Sequence, residues 1–126
     1  MKTVLDTSVV IATDIGPLEG DLAVSAITFA ELHFGVLAAR ERAVRAERLR
    51  RLLVLQRTFD AIPVDDAVAA SYGIVASAVV DAGRQPRARS MDLLIAATAH
   101  AHSARLYTRN AADFVGLEGL VDVISL

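Results

Sequence analysis

The sequence predicts an α/β fold: a three-layer α/β/α sandwich around a central, mostly parallel sheet, with residues 1–126 forming one domain. Short apolar runs of strand length alternate with segments of helical period, the pattern of strand–helix–strand units. The run Val4-Leu5 is broken by Asp6-Thr7-Ser8 before Val9-Val10-Ile11 resumes, as expected of a strand that turns directly into a helix. With 54% hydrophobic residues among 126, the chain is long and apolar enough to bury a core and too apolar for disorder.

In that opening segment Asp6 or Thr7 is the expected N-cap. The turn chemistry of Asp14-Ile15-Gly16-Pro17-Leu18-Glu19-Gly20 precedes a second strand, Asp21-Leu22-Ala23-Val24-Ser25. From Ile27 the period changes, and Ile27, Ala30, Phe34 and Leu37 share one helical face. Residues 41–57 form a second amphipathic helix, with Val44, Leu52 and Leu55 on one side and arginines on much of the rest. Residues 61–64 read as a short extended segment that Pro63 keeps out of a central ladder position. Asp65 and Asp66 open a helix to about Ala82, where Gly83 supplies a C-cap. Residues 84–89 form a polar loop, and Ser90 is the expected cap of a largely buried helix from Met91 to His102. Leu106-Tyr107 is a strand, Asn110 caps a short helical turn to Phe114, and residues 121–124 make the last strand.

Composition excludes several classes. No apolar run approaches the roughly 18 residues that a membrane span needs. Lys2 is the only cation before Arg40 and no cleavage-site pattern follows, so no secretory signal is expected. The chain has no cysteine, which rules out disulfides and thiolate metal sites and fits a reducing cytoplasm. A net charge of −2 conceals an asymmetry: 12 of 13 cations are arginine, and seven of those fall between Arg40 and Arg57. Separate basic and acidic surfaces suit a phosphate-binding protein with a metal site, although a solvated helix face would also account for the arginines.

Ligands of open parallel sheets bind beyond the carboxyl ends of the strands. Four acids fall there: Asp6 directly after the first strand, Glu31 a turn into the next helix, Asp92 in the first turn of the late helix, and Asp113 past the Tyr107 strand. Each also has a local explanation. Thr28 and Glu31 fit a capping box, Asp92 suits a helix dipole, and Asn110 with Asp113 can cap a turn. Were the four to meet, their repulsion would call for a cation, and an all-oxygen donor set indicates Mg²⁺ or Mn²⁺ rather than zinc.

Four stretches carry a family resemblance: Val4-Leu5-Asp6-Thr7-Ser8, Ser25-Ala26-Ile27-Thr28-Phe29-Ala30-Glu31-Leu32-His33-Phe34-Gly35, Asp92-Leu93-Leu94-Ile95-Ala96-Ala97-Thr98-Ala99 and Tyr107-Thr108-Arg109-Asn110-Ala111-Ala112-Asp113-Phe114. In this order and spacing, over essentially the whole chain, they resemble the PIN-domain family and, more narrowly, its VapC-type toxins of type II toxin–antitoxin pairs. The resemblance implies a Mg²⁺- or Mn²⁺-dependent endoribonuclease. It places the acidic set on Asp6, Glu31, Asp92 and Asp113, with Thr7, Ser8, Thr108 and Asn110 as supporting or substrate-contacting polar residues. It also implies a homodimer inhibited by a cognate VapB-type antitoxin, which would cover Leu32, Val36, Leu49 and Leu53 if these are not core. Ser90 stands where some relatives carry an extra acid, and Arg87-Ala88-Arg89 is more basic than the family at large.

Other readings fit less well. A receiver domain needs a lysine late in the chain, where this one has only Lys2; a haloacid-dehalogenase-type phosphatase needs an acid where Ser8 stands. The remaining alternative is a non-catalytic PIN-like domain that binds RNA or a partner. His33, His100 and His102 are not expected to be ligands in an oxygen-rich site, and Tyr72 and Tyr107 are expected in the core or at its rim.

Overall fold

In a computed structural model describing residues 2–126, five parallel strands form one sheet in the order β3-β2-β1-β4-β5. The strands are β1 (Lys2–Leu5), β2 (Asp21–Ser25), β3 (Ala61–Ile62), β4 (Arg105–Thr108) and β5 (Val123–Ser125). The helices are α1 (Thr7–Val10), α2 (Ala26–Ala38), α3 (Arg42–Thr58), α4 (Asp66–Asp81) and α5 (Ser90–Ala101), with 3₁₀ turns at Pro86–Arg89 and Ala111–Phe114.

The three layers follow from the alternation of side chains along each strand. Val4, Ala23 and Leu106 point into a core shared with Val68, Val75 and Val79 of α4 and Leu93, Ile95 and Ala96 of α5. Their neighbours Leu5, Val24 and Tyr107 face the opposite side, where Val9 of α1, Phe29 and Val36 of α2 and Leu52 of α3 form a second core. Each fully buried aliphatic side chain contributes about 1.5–3 kcal/mol, so both faces of the sheet are firmly clad.

Local chemistry sets several boundaries as expected. Asp65 accepts from the Val68 amide at 3.0 Å to cap α4. At the far end of α4, Gly83 takes a φ of +79° and donates to Val80, while Arg84 donates to Val79, the reciprocal pair of a Schellman ending. β3, next to Pro63, lies at the sheet edge.

Four local expectations are corrected. The face of α2 bearing Ala30, Phe34 and Leu37 points to solvent, with Phe34 73% exposed, whereas Thr28, Phe29 and Val36 are buried. This helix is apolar almost all round, so its spacing fits two faces and only contact with the sheet chooses between them. Ser90 does not cap α5: it is the first helical residue, and its hydroxyl donates back to the Arg87 carbonyl at 3.1 Å. Residues 86–89 form a 3₁₀ turn where a loop was expected, with Pro86 at its start. The final strand begins at Val123, two residues later than the apolar run.

Candidate active site

Chain order and sheet order diverge at one place. From β1 the chain moves outward to β2 and β3, then returns to lay β4 on the other side of β1. The crevice at such a switch point, beyond the carboxyl ends of the two strands, is where open α/β sheets bind ligands. Asp6 and Thr108 stand at that crevice.

Asp6 occupies the N-cap position of α1, yet its side chain makes no capping bond. Instead Oδ2 accepts from Ser8 Oγ and from Thr108 Oγ1, each at 2.8 Å. Both hydroxyls are themselves held by the loop after β4: the Arg109 amide donates to Ser8 Oγ at 3.0 Å and the Asn110 amide to Thr108 Oγ1 at 2.9 Å. Asp6, only 4% exposed, therefore has one carboxyl oxygen held by a network that joins residues 6–8 to residues 108–110. Capping does not explain Asp6.

Glu31 is likewise not part of a capping box. α2 is capped by Ser25, whose hydroxyl accepts from the Ile27 amide at 3.0 Å. That leaves Thr28 inside the helix and fully buried, with its hydroxyl 2.9 Å from Thr7 Oγ1. Thr7 in turn donates to Glu31 Oε1 at 2.7 Å, so α1 positions Glu31 directly.

Asp92 lies in the first turn of α5, where the helix dipole alone would favour its charge. Its carboxyl is nevertheless pushed up to about 6, first by burial and then by the negative charges of Asp6, Asp113 and Glu31, with Arg89 opposing them. The charges of all three other candidate acids thus reach Asp92, so the four lie within electrostatic range of one another. Asp113, in the turn Ala111–Phe114, forms an ion pair with Arg89. Asn110 holds the cap position of that turn without a side-chain cap bond and contributes its amide to Thr108.

The donor set is entirely oxygen, and four like charges with one guanidinium among them favour a further cation, which suits a hard divalent ion. As the side chains stand, no three acids or histidines among the described residues close around a common point. Hydroxyls hold Asp6 and Glu31, each through a single carboxylate oxygen, and Arg89 holds Asp113. The histidines lie elsewhere: His33 meets Gln56 at 3.1 Å, and His100 Nδ1 meets Ser71 Oγ at 2.8 Å.

Three features escaped the sequence reading. Thr28 and Ser25 both have cap chemistry, and the strand runs into the helix without a linker, so the sequence does not distinguish which of them caps α2. The Arg89–Asp113 pair joins two turns 24 residues apart, which local periodicity does not signal. Finally, Thr7 and Glu31 open onto a groove of about 480 Å³ whose walls include Leu32, Arg48, Arg51 and Leu52.

A fold and crevice of this kind define a class, and the comparisons agree with it. The PIN domain profile matches residues 3–115, and the chain belongs to the PIN-domain family. Among its relatives, Ribonuclease VapC5 of Mycobacterium tuberculosis is 36% identical over 126 residues, covering 95% of this chain and 90% of that protein. Toxin FitB of Neisseria gonorrhoeae is 36% identical over 97 residues, covering 75% of this chain and 68% of that protein. Of solved structures, the VapBC-5 toxin–antitoxin system of Mycobacterium tuberculosis superposes with a TM-score of 0.86 at 35% identity, covering 99% of this chain and 98% of that chain. FitAcB of Neisseria gonorrhoeae gives 0.78 at 29% identity, covering 98% and 96%.

Proposed function

We propose that this protein is the toxin of a type II toxin–antitoxin pair, a Mg²⁺- or Mn²⁺-dependent endoribonuclease that hydrolyses RNA phosphodiester bonds in the cytoplasm. The observation that carries this reading is the Asp6 carboxylate held by Ser8 and Thr108 at the β1/β4 crevice, with Glu31 held beside it by Thr7, in a chain akin to a protein named a ribonuclease.

The ion would be held by Asp6 and Asp92, with Glu31 and Asp113 as further oxygen donors. When bound, it supplies Lewis acidity, activating water for in-line attack and neutralising charge on the phosphate oxygens. The chain supplies the positioning. Ser8 and Thr108 hold the Asp6 carboxylate so that it does not reorganise as charge develops. Thr7 does the same for Glu31. A cluster of carboxylates repels RNA, so arginines must supply the phosphate contacts; Arg48 and Arg51, on the groove that begins at Thr7 and Glu31, are suitably placed.

The inhibitor would be a VapB-type antitoxin, since the similar solved structures are described as VapBC and FitAB complexes. Leu49 and Leu53 of α3, more than 40% exposed, and Phe34 and Leu37 of α2, more than 70% exposed, provide apolar surface for such a partner or for a homodimer. Val36, by contrast, is core.

Brief expression in bacterial cells followed by sequencing of new RNA 5′ ends tests the proposal. Cleavage sites present with wild type, absent with Asp92→Asn and suppressed by the neighbouring antitoxin gene are expected. Identical RNA ends for wild type and Asp92→Asn would overturn it.

A further inference from the structure

Arg89 sits at the junction of the 3₁₀ turn Pro86–Arg89 and α5, in the N-cap position, with φ −133° and ψ 29°. It makes no capping bond; its guanidinium instead reaches across 24 residues of sequence to the Asp113 carboxylate. Both partners are about one-third exposed, at 31% and 33%, so small cations can reach the pair. The same guanidinium also acts on Asp92, where it opposes the other three acids. One side chain thus serves as a positive charge for two of the four carboxylates.

The other two are held differently. Neutral hydroxyls secure Asp6 and Glu31, which orients them but leaves their charge in place. The acidic crevice therefore has two unlike sides, one with Arg89 on Asp113 and one around Asp6 without a fixed cation.

We infer that Arg89 is a resident counter-cation that fills the Asp113 side of the cluster, so that the free protein loads one divalent ion, on the Asp6 side, rather than two. The inference rests on the metal-dependent reading of the site given above. Four carboxylates met by one guanidinium and one divalent ion retain a single negative charge. A second divalent ion beside Arg89 would turn the cluster net positive before any phosphate arrived, and the guanidinium would have to leave Asp113 to admit it.

Calorimetric titration of the purified full chain with Mn²⁺, checked by electron paramagnetic resonance of the bound ion, tests this directly. One Mn²⁺ per wild-type chain is expected. Arg89→Gln should gain a second site, and Arg89→Gln combined with Asp113→Asn should return to one. Two ions on the wild type, or one ion with unchanged affinity on a folded Arg89→Gln, would overturn the inference while leaving the metal-dependent nuclease reading intact. No Mn²⁺ binding by the wild type would remove that reading itself, and this inference with it. Circular dichroism monitors the fold of Arg89→Gln; if that variant is unfolded, wild-type stoichiometry alone decides, one ion supporting the inference and two overturning it.

Discussion

Thr108 Oγ1 donates a 2.8 Å hydrogen bond to Asp6 Oδ2, joining residues 102 positions apart at the ends of the two strands where the sheet reverses its order. The bond continues the backbone pairing, in which the Asp6 amide donates to the Tyr107 carbonyl at 2.9 Å. Sheet register therefore sets the site: the pairing of Leu5 with Tyr107 is what brings Asp6 and Thr108 side by side.

Thr108→Val keeps the shape of the side chain and removes its hydroxyl. Asp6 loses one of its two hydroxyl donors and the Asn110 amide loses its acceptor. An unfolding free energy lower by about 1–3 kcal/mol is expected in urea titrations, together with a fall in RNA cleavage of roughly tenfold or more as the carboxylate loosens. Unchanged values of both would mean the network is ornamental.

Asp92 makes stability depend on pH in a direction opposite to most carboxylates. Its folded-state pKa is about 6 against an ordinary 3.8, so between those values the native state binds more protons than the unfolded chain. Stability must therefore fall as pH rises from about 4 to about 6, and the loss is complete above that. Because Asp92 is only half-buried, solvent screening reduces the effect to on the order of 1 kcal/mol, a few degrees in Tm. In EDTA, Asp92→Asn should melt above wild type at pH 7.5 and close to it at pH 4.5. A difference independent of pH would contradict this origin of the shift. Excess Mn²⁺ should raise the wild-type Tm at pH 7.5 by mass action.

Arg51 donates to the Ile11 carbonyl at 3.2 Å and Arg48 to the Gly35 carbonyl at 2.8 Å, which fixes both along the groove leading from Glu31. If they contact phosphates, replacing either by alanine should weaken RNA binding across sequences and reduce the salt slope by about 0.7 for a single strand. Fluorescence anisotropy on the catalytically silent Asp6→Asn background, from 50 to 200 mM salt, would measure it. An unchanged slope would assign the groove to something other than RNA.

Where local chemistry decides, the sequence is readable. Asp21–Ser25 is the second strand to the residue, and Asp65 and Gly83 mark the ends of α4 because caps act over three or four positions. The short apolar runs of β1 and β2, alternating with segments of helical period, are enough to predict a sheet covered on both faces. Ambiguity begins where two positions offer the same chemistry. Ser25 and Thr28 can both cap α2, and the two apolar faces of that helix can both be core. Tertiary packing breaks these ties, and a single chain carries no signal of it.

The candidate acids follow the same division. Their positions at strand ends are legible, because fold class dictates where ligands bind. What holds each of them is not, since Thr7–Glu31, Thr108–Asp6 and Arg89–Asp113 are separated by 24 residues or more.

Asp6→Asn tests the central claim most directly. Asparagine can still accept from Ser8 and Thr108, so the fold should survive while the negative charge is lost. Purified wild type and Asp6→Asn, matched by circular dichroism and freed of antitoxin, would be given the same RNA in Mn²⁺, with and without EDTA. Wild-type cleavage abolished by EDTA, and a rate at least about 100-fold lower for Asp6→Asn, are expected of a site built on carboxylate-held metal. Equal cleavage by the two proteins, or cleavage untouched by EDTA, would contradict it.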